Sequence, residues 1–94
     1  MASRHEYIDK FKQKLDEWDA DIDELEDRAQ IAKADLKFEL EDQITSLKLK
    51  RDIAKLKLSE TIDASEEAWT DVKAGAEEAW SDLKLAIEKA MSRF

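Results

Sequence analysis

The chain has no cysteine, no proline, one glycine (Gly75) and one histidine (His5) among its 94 residues. Without cysteine there is neither a disulfide framework nor a thiolate zinc site. A single histidine builds no histidine metal cluster. The near absence of Gly and Pro removes the punctuation of sheets and of loop-borne sites. Long apolar runs are missing too: the first residues carry no signal-like apolar segment, and no stretch is long enough to span a bilayer. The expectation is a cytoplasmic chain. Charge is abundant, at 43% of residues, with 24 acids against 16 bases and a net charge of −8. That balance disfavours binding to a phosphate backbone, so nucleic acid is not an expected partner. Composition leaves a single charged helical unit over residues 1–94.

Apolar residues three and four apart share one helix face. Such a series runs Ile8, Phe11, Leu15, Trp18, Ile22, Leu25, Ala29, Ala32, Leu36, Leu40, Ile44, Leu47, then Arg51, Ala54, Leu58, Ile62, Ser65, and on through Trp69, Val72, Ala76, Trp80, Leu83, Ile87, Met91 and Phe94. Only Arg51 and Ser65 interrupt it. The register advances about 7.17 residues per two turns, between the 7.0 of a strict heptad and the 7.2 of an undistorted helix. It predicts an all-α chain with the apolar positions of the series as packing or interface residues. Arg51 is the candidate for fixing alignment, by pairing with an acid on a neighbouring helix; the alternative is that it reaches water.

Two features argue for more than a lone rod. Phe38, Leu49, Ile53 and Leu56 point about 160° away from the main stripe at 100° per residue, which asks for a bundle of three or more helices. Charge also divides by segment. Residues 1–31 hold ten acids and five bases, residues 32–58 five acids and seven bases, and residues 59–94 nine acids and four bases. Antiparallel packing lays an acidic end beside the basic middle. The polar segment at 59–66 is the weakest stretch of helix, with Asp63 and Glu66 as a candidate capping box and Ser59 as another cap. The predicted architecture is a long-helix coiled coil or helical hairpin, with helix 1 over about 4–58 and helix 2 over about 64–92, assembling into an oligomeric bundle. The alternative is one continuous helix of roughly 130 Å.

Candidate chemistry is sparse. His5 sits in a polar terminus, and carboxylate pairs such as Asp16-Glu17 and Glu66-Glu67 read as a solvated helix face. No E-x-x-H pair, Gly-rich phosphate loop or Ser-His-Asp set occurs. No catalytic residue, cofactor, metal or small-molecule substrate is expected. Trp18, Trp69 and Trp80 lie on the main stripe, as core residues or as anchors to an apolar surface.

The last third repeats every eleven residues: Ala68-Trp69-Thr70-Asp71-Val72-Lys73, then Ala79-Trp80-Ser81-Asp82-Leu83-Lys84, then Ala90-Met91-Ser92. A period of eleven favours straight or slightly right-handed packing. With Glu88-Lys89 before the third copy and Arg93-Phe94 at its end, this tail resembles a group of short, uncharacterised bacterial coiled-coil proteins with a tandem Ala-Trp-x-Asp/Glu-Leu-Lys repeat. The resemblance implies a bacterial source and brings no functional residue with it. Val72 stands where that group has Leu.

The functional expectation is a non-enzymatic structural or interaction module that self-associates, with another helical protein as a further possible partner. Alternatives are an amphipathic chain binding reversibly to a membrane surface, weakened by its acidic polar face, and an adaptor helix docking on a larger complex.

Overall fold

The computed structural model describes residues 3–94. Three helices run in sequence: α1 (Arg4–Ile31), α2 (Ala34–Asp63) and α3 (Trp69–Arg93). They lie up, down and up, in a bundle 51 Å long and 17 Å wide. The long first helix expected over 4–58 is therefore broken after Ile31, and the two-helix hairpin is corrected to three helices.

The break has a packing cause. Ala32 and Lys33 adopt extended backbone (φ −74°, ψ 152° and φ −67°, ψ 154°) between two strong helix-forming stretches. Neither residue needs a left-handed conformation, so no glycine is required. At 1.5 Å per residue the three helices span roughly 42, 45 and 38 Å. Three arms of similar length cover each other's apolar stripes. A two-arm hairpin leaves residues 11–25 bare, whereas here Phe11 and Leu25 are fully buried. Burial of the stripe outweighs the modest local preference for continuing the helix.

The second reversal overlaps only the end of the polar cluster and lies over residues 64–68, with 59–63 still in α2 rather than ended at 58. Its caps differ from those expected. Neither Asp63 with Glu66 nor Ser59 caps α3; the Ser65 hydroxyl accepts from the Ala68 N–H at 3.2 Å. Helix α3 then starts at Trp69, five residues later than the sequence suggests. Thr61, fully buried, donates its hydroxyl proton to the Leu58 carbonyl at 2.5 Å and so satisfies itself inside the last turn of α2. Helix α1 opens on a regular cap, with Ser3 Oγ accepting from the Glu6 N–H at 3.2 Å.

The main stripe forms the core. Phe11, Leu15, Trp18, Ile22 and Leu25 from α1, Leu40, Ile44, Leu47, Ala54 and Leu58 from α2, and Ala76, Leu83, Ile87 and Ala90 from α3 are buried together. Two register residues depart from the expectation: Leu36 and Ile62 are each 46% exposed. Both sit in terminal turns of α2, beside the reversals, where the stripe runs out past its neighbours.

The two interfaces of α3 differ in kind. Helix α3 lies closer to α2 than to α1. Toward α1 it presents rings: Trp69 meets Tyr7 edge-on at 5.7 Å, and Trp80 meets Phe11 at 4.9 Å and Trp18 at 5.4 Å. On the helix edge where Gly75 approaches Lys57 of α2, the eleven-residue period places Ala68, Ala79 and Ala90.

Candidate interaction surface

Between α1 and α2, charge sorts as the segment arithmetic suggests, inside one chain. The Asp19 carboxylate of α1 lies 3.4 Å from Arg51 Nη1 and 3.3 Å from Lys55 Nζ of α2, and Glu26 lies 2.6 Å from Lys48 Nζ. Arg51 also reaches its neighbour Asp52 at 3.2 Å. The interruption of the apolar stripe is thus an ion-pairing position between α1 and α2 of the same chain. On the other side, Glu39 of α2 pairs with Arg93 of α3. Only the α1 side follows the segment arithmetic; on the α3 side the pair runs the other way, with the acid on α2 and the base on α3.

Arg4, which no sequence pattern marks, closes the far end. One guanidinium nitrogen shares its protons among the carbonyls of Thr61 (2.7 Å), Ile62 (3.2 Å) and Ala64 (2.5 Å). The same guanidinium lies 4.8 Å from the centre of the Trp69 ring. Helix α2 has no basic residue in its own last turn. Arg4 supplies the missing cation at the negative end of its dipole.

Tyr7 sits inside this end with its hydroxyl buried and without a hydrogen-bond partner among the described residues. Burial, and then the charge of Glu77, push its phenol up to about 12. On α1, burial together with Glu24 and Glu17 raises the Asp21 carboxyl above its ordinary value, against the opposing pull of Lys14. His5 faces water beside Asp9 at 3.2 Å.

Concave features are shallow. An open cleft between α1 and α3 is lined by Tyr7, Lys10, Glu77, Trp80 and Ser81, and a second lies between α1 and α2 around Glu26, Lys37 and Glu41. Among the described residues, no group of three or more His, Cys, Asp or Glu is arranged to hold a metal ion. No helix among them is long and apolar enough to cross a membrane.

The prominent surface feature is the back of α2. Phe38 (79% exposed), Leu49 (64%), Ile53 (46%) and Leu56 (59%) form a stripe opposite the buried face. The second apolar face was expected to be covered in a bundle of three helices, and it is not. The bundle closes on one side of each helix, and α1 and α3 both pack on the same half of α2. Of the residues expected to pack, Phe11, Leu15, Trp18, Ile22, Leu25, Leu40, Ile44, Leu47, Leu58, Leu83 and Ile87 are in the core, while Trp69, Val72 and Trp80 are half-buried around it. The residues able to serve as a surface are thus the second face, not the main stripe.

No protein-family model, no curated protein and no solved structure matches the chain.

Proposed function

We propose that this chain is a non-enzymatic helical module that self-associates in the cytoplasm, and that it does so through the outer face of α2. The observation that carries the reading is the exposed stripe Phe38, Leu49, Ile53 and Leu56, set opposite a complete core. Four large apolar side chains aligned on one helix are costly to leave in water and gain about 25 cal/mol per Å² on burial. The main stripe, where association was first expected, is consumed by α1, α2 and α3 of one chain, so the drive to associate rests on the second stripe. The tandem Ala-Trp tail supports kinship with the short bacterial coiled-coil proteins it resembles.

Sedimentation velocity from micromolar to millimolar concentration tests the reading. Wild type should grow in mass with concentration. The double variant Leu49→Ser/Leu56→Ser should stay monomeric while keeping its helical circular dichroism, because neither side chain belongs to the core. A wild type that is monomeric throughout overturns self-association. A double variant that associates as wild type does removes the outer face from it.

A further inference from the structure

The outer face of α2 is electrically polarised along its length. Residues 34–46 contain Asp35, Glu39, Glu41 and Asp42 against Lys37, a net of −3. Residues 47–58 contain Lys48, Lys50, Arg51, Lys55 and Lys57 against Asp52, a net of +4. Several of these charges are used within the chain: Glu39 by Arg93, and Lys48, Arg51 and Lys55 by acids of α1. Among the described residues Asp35, Asp42 and Lys50 have no such partner, and Lys57 lies 3.5 Å from Glu60 one turn on. At 100° per residue these four lie on the α3 side of the outer stripe, the acids upstream and the lysines downstream.

From this we infer that the partner on the outer α2 face is a second copy of the chain, laid antiparallel and centred near residue 47. The inference rests on the self-association reading above. With that centre, facing residues have numbers that sum to about 94. Phe38 then meets the partner's Leu56, and Thr45 meets the partner's Leu49. On the α3 side, Asp35 faces the partner's Lys57 and Asp42 faces the partner's Lys50, each pair occurring twice about the two-fold axis. The interface is isologous and closes as a dimer, leaving no open end to propagate.

The charges reject the competing arrangements. A parallel pair turns the α3 side of one copy toward the α1 side of the other, so Asp35 loses the partner's Lys57 and Asp42 loses the partner's Lys50. An antiparallel pair centred on Ile53 stacks Leu49, Ile53 and Leu56 on themselves but brings Lys50 against the partner's Lys57. Ion pairs flanking a helix seam decide orientation and register more than affinity. Here the apolar stripe drives the contact and the polarity of α2 selects one way of making it.

The test uses the full chain. Asp35→Lys/Asp42→Lys and Lys50→Glu/Lys57→Glu should each self-associate roughly tenfold more weakly, or worse, because one face becomes all basic and the other all acidic. Mixed together, the two variants should pair. The fourfold swap carrying all these changes should dimerise with itself and refuse the wild type, since the wild-type acidic half then meets glutamates. Free mixing of the fourfold swap with wild type overturns the antiparallel pairing. The absence of native cysteine allows spin labels on single cysteines at Ser46→Cys and Ser59→Cys, both at exposed positions. At 1.5 Å per residue, labels at 46 should be separated only by the width of the seam, and labels at 59 by about 36 Å along the axis. Equal short distances at both sites mean a parallel pair and overturn the inference. So do intermediate distances at both, which mark the Ile53-centred register. A dimer with either pattern leaves self-association standing; a wild type that is monomeric throughout removes both.

Discussion

Helix α3 meets its two neighbours in opposite ways. Against α1 it packs rings edge to face, with Tyr7, Phe11, Trp18, Trp69 and Trp80 in one chain of contacts. Against α2 it packs alanines, and the helices approach more closely. Both seams come from one eleven-residue unit, because a period of eleven returns each position to nearly the same helix face. The Trp of the first two copies therefore turns toward α1, and the Ala that precedes it lies on the edge nearer α2. The wide seam gains its strength from ring area and quadrupole geometry, the narrow seam from close contact. They should fail differently when altered.

The largest effect is expected on the wide side. Trp80→Ala removes the ring that bridges Phe11 and Trp18, and should cost about 3–5 kcal/mol of unfolding free energy in a urea titration. On the narrow side the damaging change is enlargement. Ala79 is buried, and Ala79→Leu should cost about 1–3 kcal/mol by overpacking. If Ala79→Leu is tolerated as well as a surface change, the two seams are not as distinct as their residues suggest. Gly75 sharpens the comparison in the other direction. A Cβ there would meet only the Lys57 Cδ, at 3.9 Å, an ordinary contact. The glycine is therefore not needed for helix approach, and Gly75→Ala should raise stability by roughly 0.5–1 kcal/mol. The smallest effect belongs to Tyr7, where the wide seam buries a hydroxyl without a partner. Tyr7→Phe should leave stability unchanged or raise it by about 1 kcal/mol.

Tyr7 also gives the wide seam a pH signature. Its phenol rises from 10.0 to about 12 in the folded chain, because burial and Glu77 disfavour the phenolate. Between those values the unfolded chain has released the proton while the folded chain keeps it. Unfolding then releases a proton, and stability falls as pH rises across that window. Tyr7 is the sole tyrosine, so phenolate absorbance in the near ultraviolet follows it directly, against Tyr7→Phe as the blank.

The apolar register made the helical class and most of the core legible, down to Phe11, Leu40 and Leu83. The polar cluster at 59–66 made the second reversal legible only approximately: Ser59, Thr61 and Asp63 stay helical in α2, and Ser65 is the side chain of the cluster that bonds the turn backbone. The first reversal was not legible. Ala32 and Lys33 carry no turn chemistry, and the stripe crosses them in step through Ala29, Ala32 and Leu36. What places that turn is the match in length among three helices, a property of the whole chain and not of any window within it. The second face at Phe38, Leu49, Ile53 and Leu56 was visible as periodicity. Its exposure was not, because periodicity says that a face is apolar and not which neighbour will cover it. Arg4 was invisible for a related reason: its partners are backbone carbonyls, which leave no mark in the identities of residues 61–64.

The clasp made by Arg4 bears on the order in which the chain can fold. Each of the two reversals joins neighbouring helices through a few residues, so the α1–α2 and α2–α3 hairpins close over short loops. Arg4 reaches carbonyls 57 to 60 residues away. Closing a loop of that length costs more chain entropy than either hairpin. The clasp, like the ring contacts between α1 and α3, should therefore form after the two hairpins have closed. While it holds, the end of α2, the second reversal and the first turn of α1 exchange their amide protons as one unit. Once it is released, that end of the bundle frays by itself, while the hairpins continue to protect the middle.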